Sequence, residues 1–461
     1  MIDRSAAWVA AAAGGQLVAG DPEAAGPRRA VVDSRAAGPG DLFVGLAGER
    51  VDGGAFAAAA LAEEAWGVLV APEHAAALGG GPSPPVARGA PVGPLAAPAA
   101  VIAADDPLAA LQRLATAWRR ELPAAVIGIT GSTGKTSTKD ILAALLRPHR
   151  RTHSSRQNLN TEVGLPLSVL EADPGAEVLV LEMAMRGEGQ IAELTAIAAP
   201  DVGVIVNVGP VHLELLGTVE RVAAAKAELI RDLPPGAAAV VPASEPLLEA
   251  HRRDDVETTT FGPGGDVALL GFDPTRGRAE IEAGDERVFL ALPYRQPYNL
   301  LNTLAAVAAA RAVGVTPRGR VAVDFSPLRG QELELAGGVT VVNDCYNANP
   351  MSMRAAIEHL AAAPARRRIA VLGEMAELGS ESERFHAEVA EQASAAGVDV
   401  LVAVGSGARA YLGAFAGPER HAVDDPEAAG ALLERLAGPG DRVLVKGSRS
   451  AGLERVLGDT R

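Results

Sequence analysis

A single cysteine, Cys345, stands in the 461 residues. It has no partner for an internal disulfide, which fits a reducing cytoplasm. Aromatic side chains make up only 3% of the chain, so its cores are expected to be packed from Val, Leu and Ala. Positive charge is outweighed: 42 Lys and Arg face 57 Asp and Glu, a formal net charge of −15. No basic block offsets that balance, which argues against nucleic acid as a partner. The longest apolar runs are too short, or too alanine-rich and interrupted, to span a bilayer. The opening stretch MIDRSAAWVAAAAGGQ places an acidic residue before a weak apolar run. It is expected to form an amphipathic first helix and not a signal peptide. No internal repeat and no disordered tail are expected. What is abundant is apolar residue, 48% of the chain, enough for large cores in about three domains at this length.

The stretch that organises the rest is Ala124 to Asp140, AAVIGITGSTGKTSTKD. Ala125 to Ile129 has the pattern of a short buried strand. A glycine loop follows, Gly131-Ser132-Thr133-Gly134, then Lys135-Thr136-Ser137 and a helical pattern through Leu146. Backbone N–H groups at a helix N-terminus have no partner inside the helix, and the dipole there favours anions. Glycines let the chain approach phosphate oxygens, Lys135 would neutralise the outer phosphates, and the Thr136 hydroxyl would hold Mg²⁺. The strict phosphate-loop pattern requires glycine where Ile129 stands, so the loop is a shortened G-x-x-G-K-T. A chance turn containing Gly-Lys-Thr is the bland alternative; the strand-to-helix context favours the loop.

Three units are expected in order. Residues 1–105 have short strands, Ala30 to Asp33 and Asp41 to Val44, and an alanine-rich helix from Gly54 to Glu64. Gly79 to Pro98 is expected to be a loop. Polar and glycine residues follow the strands at Val32-Asp33-Ser34-Arg35 and around Asp52-Gly53, where ligands dock in α/β folds; ordinary turns are the alternative. Residues 106–314 open with a helix from Asp106 to Glu121. Strands at Glu177 to Leu181, Asp201 to Val206 and Ala237 to Val241 alternate with helices at Gly189 to Ala198 and Val219 to Leu233. That alternation implies a doubly wound, mostly parallel sheet. Short strands between Val267 and Leu292 should be antiparallel at its edge, and a helix from Asn299 to Ala312 closes the unit. Residues 315–461 repeat the α/β alternation, with strands at Val339 to Asn343, Arg368 to Leu372, Val398 to Val404 and Arg442 to Val445.

Several residues carry potential chemistry. Glu182 ends an apolar strand, where a carboxylate facing a phosphate loop can hold Mg²⁺, although a strand-end charge is often merely solvated. His212 follows another strand, and Lys226 comes fourteen residues later on an alanine-rich helix; a satisfied polar residue and a solvated lysine are their bland readings. Asn299 and Asn302 share a face at a helix start, where an amide can cap the helix or contact an adenine edge. Asp344 can take ribose hydroxyls. Tyr346 is one of four tyrosines, in a loop where Asn347, Asn349 and Pro350 otherwise have the character of a turn. Lys446-Gly-Ser448-Arg449 is a further strand-to-helix junction. Cys345 lacks an adjacent basic partner and is expected to be a packed side chain.

These residues resemble the Mur ligases of peptidoglycan synthesis. The resemblance rests on the shortened loop Thr130 to Thr136, the Glu182 strand end, the His212 to Lys226 spacing and the Asn299/Asn302 helix. It rests also on Asn158-Leu-Asn-Thr-Glu-Val-Gly-Leu-Pro, Asp344-Cys-Tyr-Asn-Ala-Asn-Pro, Leu372-Gly-Glu-Met-Ala-Glu-Leu-Gly and Val445-Lys-Gly-Ser-Arg-Ser. It spans all three units and is closest to the branch that adds D-alanyl-D-alanine to UDP-N-acetylmuramoyl-tripeptide, with ATP as the second substrate.

The resemblance implies a small amino-terminal α/β domain for the UDP-sugar, a central phosphate-loop domain for ATP, and a Rossmann-like carboxyl-terminal domain that closes on ATP and takes the dipeptide. It implies that Lys135 and Thr136 hold phosphates and one of two Mg²⁺ ions, that Glu182 and His212 are metal ligands, and that Lys226 is carbamylated by CO₂. Asn302 would contact adenine, Arg329 and Asp344 phosphate or ribose, with Tyr346 packed nearby. Ser34 and Arg35 would bind the UDP-sugar, and Asn160, Thr161 and Arg186 would line the muramoyl-peptide. Asn347, Asn349, Lys446, Ser448 and Arg449 fall in its substrate-binding segments. A monomeric cytoplasmic enzyme is expected. Three positions depart: Gly54 replaces a histidine common after Asp-Gly, Tyr298 precedes Asn299 in place of histidine, and Ala184 follows Glu182-Met in place of glycine. A folylpolyglutamate-synthetase-like enzyme would lack a first unit of this kind. An ATP-hydrolysing switch or assembly protein remains the alternative from another class.

Overall fold

A computed structural model describes residues 1, 3–79, 99–156, 158–335 and 337–458. Most of the expected loop between Gly79 and Pro98 lies outside the described residues; Gly79 itself ends a helix, Pro72–Gly79. The fold is α/β with mostly parallel sheets. The chain divides into two compact units. One comprises Met1–Gly128, His149–Ala184 and Gln190–Asp201; the other comprises Ile129–Pro148, Met185–Gly189 and Val202–Arg461.

In the first unit a five-stranded sheet runs in the order Gln16–Ala19, Ala100–Ala103, Gly67–Val70, Asp41–Val44, Arg29–Val31. The last four are parallel and the first antiparallel. Parallel strands covered on both faces are apolar throughout, and Gly67–Val70 is buried at every position. The expected strand through Asp33 ends at Val31, because the Asp33 carboxylate caps a short 3-10 turn, Ser34–Ala36. The expected helix from Gly54 likewise opens as a 3-10 turn, Gly53–Phe56, capped by Asp52, before the α-helix Ala57–Ala62. The first helix, Ala6–Ala13, is capped by Ser5, and its Trp8 ring meets Trp118 edge-on at 6.4 Å. Thr152–Ser154 pairs in parallel with Val178–Glu182.

In the second unit Val202–Ile205, Ala238–Pro242 and Glu257–Phe261 are parallel neighbours. An antiparallel run follows, Val267–Asp273, Arg278–Ala283 and Glu286–Ala291. Arg278–Ala283 buries Ala279, Ile281 and Ala283, every second residue, as expected of a sheet with one solvated face. The helix expected from Asn299 starts two residues earlier, at Pro297, because proline suits the first helical position. Asn299 is therefore a buried residue inside the first turn and not the cap. A six-stranded sheet runs Gln331–Leu335, Val339–Asn343, Arg442–Lys446, Arg368–Leu372, Val400–Val404, Glu419–Val423, with only the first strand antiparallel.

Candidate active site

The phosphate loop belongs to the second unit from Ile129 onward. The strand ends at Thr130, four loop residues follow, and the helix Lys135–Leu146 begins after them, with Gly134 at its N-cap. Glycine is required at 134 for two reasons. Its φ is +77°, and a Cβ there would lie 2.7 Å from Asn302 Oδ1. No side chain caps this helix, which suits a terminus meant for an anion. Lys135 curls back over the loop, its Nζ donating to the Gly131 carbonyl at 2.8 Å. Thr136 is buried, and Ser137 is half-buried on the same turn.

A residue that the sequence reading did not single out braces this loop. Asn207 Oδ1 accepts from the Ser132 and Thr133 N–H groups at 3.1 and 2.9 Å, and its Nδ2 donates to the Thr133 carbonyl at 3.1 Å. Its own carbonyl also accepts from Ser132 N–H. The Ser132 hydroxyl donates to the Gly209 carbonyl at 3.1 Å and accepts from Gly209 N–H at 2.9 Å. The only sequence signal for Asn207 was its position just past an apolar strand.

Lys226 is 2% exposed on the helix Val219–Arg231. Burial, and secondarily the charge of Lys135, push its pKa well below the ordinary lysine value. The solvated reading of Lys226 is thereby overturned: alanines around it let the helix pack closely and carry the amine inside. A neutral amine is the form that adds CO₂.

His212 and Glu377 meet through an unusual backbone. Both are non-glycine residues with positive φ, +54° and +62°, a conformation that persists where the surroundings hold it. His212 Nδ1 is hydrogen-bonded to Glu377 Oε2, and Arg186 Nε lies 3.4 Å from Glu377 Oε1. The bond to His212 holds the Glu377 carboxyl below its ordinary value, helped by the charges of His212 and Arg186, with burial opposing. Glu377 lies in the segment Leu372 to Gly379 quoted from the sequence but was not assigned a role. Its signal was the repeated acid in Glu374-Met-Ala-Glu377.

The segment Asp344 to Pro350 is docked on the phosphate loop within the same unit. Asn349 caps the helix Pro350–Ala362 in a reciprocal capping box with Ser352, and its Nδ2 reaches the Ser132 carbonyl at 3.4 Å. A Cβ at Gly209 would collide with the Met351 side chain, so that glycine admits the helix's first turn. Lys446 is 2% exposed and directs its ammonium at Asp344 Oδ2 (2.6 Å), the Asp344 carbonyl (3.4 Å) and the Asn347 carbonyl (3.0 Å). It shapes this loop. The Asn347 side chain accepts from Ala348 N–H. The Arg329 guanidinium stacks 3.9 Å over the Tyr346 ring. Asn302 Nδ2 donates to Asn299 Oδ1 at 3.3 Å. Ser448 accepts from Ala376 N–H at 2.9 Å, fixing the segment that carries Glu377, while exposed Arg449 pairs with Glu454.

The first unit holds the remaining residues. Glu182 is 1% exposed at its strand end; Oε1 accepts from Asn160 Nδ2 at 2.7 Å, and its other oxygen, Oε2, is buried without a hydrogen-bond partner. A buried carboxylate oxygen left so is costly unless a cation completes it. Asn160 is thus occupied in orienting Glu182. Thr161 precedes the helix Gly164–Glu171 and accepts weakly from Gly164 N–H at 3.5 Å. Ser34 lies in the 3-10 turn, and the exposed Arg35 folds onto Asp33 through bonds of 2.9 and 2.8 Å, holding that carboxyl down to about 2. Among the described residues, no three or more His, Cys, Asp or Glu gather as a metal site.

Two family models match: the Mur ligase middle domain over residues 129–310, and the Mur ligase, glutamate ligase domain over residues 329–449. Among curated proteins, the chain is 35% identical to the UDP-N-acetylmuramoyl-tripeptide–D-alanyl-D-alanine ligase of Synechocystis sp., covering 92% of this chain and 90% of that one. It is 37% identical to the ligase of the same name from Mycobacterium tuberculosis, covering 99% and 97%. Among solved structures, MurF from Acinetobacter baumannii superposes with a TM-score of 0.82 at 27% identity, over 99% of this chain and 98% of that one. MurF ligase from Thermotoga maritima, solved in complex with ADP, gives 0.76 at 34% identity, over 93% and 96%. With a phosphate loop of the shortened kind and relatives matched from end to end, the chain belongs to the Mur ligase family.

Proposed function

We propose that this ligase joins D-alanyl-D-alanine to UDP-N-acetylmuramoyl-tripeptide with ATP, completing the UDP-linked pentapeptide precursor of peptidoglycan. The end-to-end likeness to curated ligases of that name carries the choice of substrates. A carboxylate is a poor acylating agent because its leaving group is bad. Attack of the tripeptide's terminal carboxylate on the γ-phosphate makes an acyl phosphate and ADP. The dipeptide's free amine then attacks the carbonyl carbon and phosphate leaves.

The chain's own groups suit the first step. The uncapped helix terminus at Gly134 faces its N–H groups to the triphosphate, Lys135 screens it, and Asn207 pre-sets the loop so that less ordering is needed on binding. Mg²⁺, when bound, supplies further screening between the two anions. In the first unit Glu182 is its candidate ligand, supported by the orphan oxygen; in the second, Thr136, His212 and Lys226 as a carbamate are the candidates. The His212 Nδ1 bond to Glu377 leaves Nε2 for a metal, an arrangement common among ligating histidines. We assign residues 1–105 to the UDP-sugar, 106–314 to ATP, and 315–461 to closure and the dipeptide, with Asp344, Tyr346, Arg329 and Asn302 around the nucleotide. No helix of the described residues is long and apolar enough to cross a membrane. We infer a monomer working in the cytoplasm, where the UDP-linked precursor and ATP meet.

Phosphate release from the purified chain with Mg²⁺ tests the reading. Release is expected only when ATP, UDP-N-acetylmuramoyl-tripeptide and D-alanyl-D-alanine are all present. Steady ATP turnover with neither acceptor would overturn it in favour of a nucleotide switch.

A further inference from the structure

The strand Arg368–Leu372 leads into the segment that carries Glu377, then into the 3-10 turn Gly379–Glu381 and the helix Ser382–Ala395. The segment forms neither strand nor helix, so its backbone N–H groups need partners from elsewhere. Gly373 N–H donates to the Lys446 carbonyl, Ala376 N–H to Ser448 Oγ and Met375 N–H to His386 Nε2, each at 2.9 Å. Its far end is docked on the stretch after His212. Glu214 N–H donates to the Glu377 carbonyl at 3.2 Å. A Cβ at Gly379, whose φ is +58°, would lie 3.3 Å from Glu214 Cα. Leu213 packs on the same core as Met375 and Leu378.

His386 is 1% exposed, and the chemistry described above leaves it unused. A backbone N–H can only donate, so Nε2 carries the lone pair that receives Met375. The ring proton is then on Nδ1, which donates to the Ser382 carbonyl at 2.6 Å. Only the neutral ring in that tautomer satisfies both partners. Burial holds its pKa below the ordinary histidine value, against the Ser382 bond and the charge of Glu374, which favour the added proton. The Tyr411 ring lies 4.8 Å away, and its hydroxyl donates to the Gly373 carbonyl at 3.1 Å. Glu377, two residues past Met375, has a φ of +62°, a conformation that lasts only while its surroundings dictate it. Without an acceptor at Nε2, Met375 N–H is left buried and unpaired, which is costly. Turning that amide towards water relieves the cost, and the turn is passed along the backbone to Glu377.

We propose that His386 is a positioning residue for His212: by holding the Met375 amide it fixes the segment that presents the Glu377 carboxylate to His212 Nδ1. An ionised carboxylate can only accept, so this bond keeps the His212 proton on Nδ1 and leaves Nε2 bare for a metal. A neutral histidine left to water carries its proton mainly on Nε2, the wrong place for a ligand. The inference rests on the reading of His212 as a metal ligand.

The test compares the full-length wild type with His386→Gln, His386→Asn and Glu377→Ala, with thermal melts to check folding. The Gln amide reaches the place of Nε2 and offers Met375 an oxygen. The shorter Asn amide reaches only the place of Nδ1. The first readout is the ring ¹⁵N signals of His212 in metal-free protein, assigned by their loss in His212→Gln. The second is Mn²⁺ affinity by electron spin resonance, with a non-hydrolysable ATP analogue present. Wild type and His386→Gln should carry the His212 proton on Nδ1 alone. His386→Asn and Glu377→Ala should show a mixture of tautomers. Their Mn²⁺ dissociation constants should be about tenfold higher, the lower end of what the partners of a metal-binding histidine contribute. Unchanged His212 signals in His386→Asn, even with a lowered melting temperature, mean a purely structural role and overturn the inference. A mixed signal in His386→Gln or in wild type also overturns it. Should His386→Asn fail to fold, His386→Gln decides: a proton kept on Nδ1 supports the inference. If His212→Gln binds Mn²⁺ as wild type does, the reading of His212 as a ligand falls, and the tautomer signals judge the positioning by themselves.

Discussion

Replacing Asn207 by Ala isolates the bracing of the phosphate loop from the loop's own residues. The substitution deletes three side-chain hydrogen bonds, to Ser132 N–H, Thr133 N–H and the Thr133 carbonyl. Ser132 N–H keeps a second partner, the backbone carbonyl of residue 207, so two bonds to Thr133 are lost outright. At about 1 kcal/mol net for each bond, and somewhat more for a donor left without a partner, the ordered loop loses roughly 2–3 kcal/mol relative to its disordered states. If ATP binds only the ordered loop, that cost passes into affinity. The expected result is an ATP dissociation constant raised about 30- to 140-fold, at roughly 1.4 kcal/mol per tenfold. Titration calorimetry with a non-hydrolysable ATP analogue and Mg²⁺ measures it, and a cooperative melt by circular dichroism establishes that the variant folds. An affinity within twofold of wild type would refute the reasoning. So would tighter binding, since it would mean that the freed Thr133 N–H serves the phosphates better than Asn207 does.

Two further outcomes follow from buried and paired charges. Lys226→Ala should abolish the two-substrate phosphate release, with partial recovery on adding short carboxylic acids; full activity in the Ala variant would remove the carbamate from the mechanism. Glu332 is held down to about 2, chiefly by His359 and then by Arg442, against an ordinary value of 4.5. A depressed carboxylate contributes stability above its unfolded pKa and loses it as pH falls towards the folded one. The stability gap between wild type and Glu332→Gln should therefore be full at pH 6 and close between about pH 4.5 and 2. It should stay below about 1 kcal/mol, since the pair is partly exposed and screened. Melts of both proteins across that range check it, and a gap that widens on acidification would contradict the assignment.

Local pattern carried much of the fold. The strands Val339–Asn343 and Arg368–Leu372 and the helix Pro107–Glu121 after Asp106 fall where apolar runs and a capping aspartate put them. Departures came where a side chain captured the backbone, as Asp33 did in ending one strand early and Asp52 in starting a helix as a 3-10 turn. The glycine loop was legible because its residues are consecutive. Asn207 and Glu377 were not, because each acts on residues far away in the chain: 75 positions to Ser132 and 165 to His212.

The sequence by itself determined the α/β alternation, the phosphate loop and the resemblance to one ligase family, since each of these is written in neighbouring residues and their spacing. Only the tertiary structure decided that Lys226 is buried and that Lys446 is spent on Asp344 and the adjoining carbonyls. Burial and hydrogen-bond geometry depend on what the folded chain places beside a side chain, and a lysine on an alanine-rich helix has the same local pattern whether water or protein surrounds it.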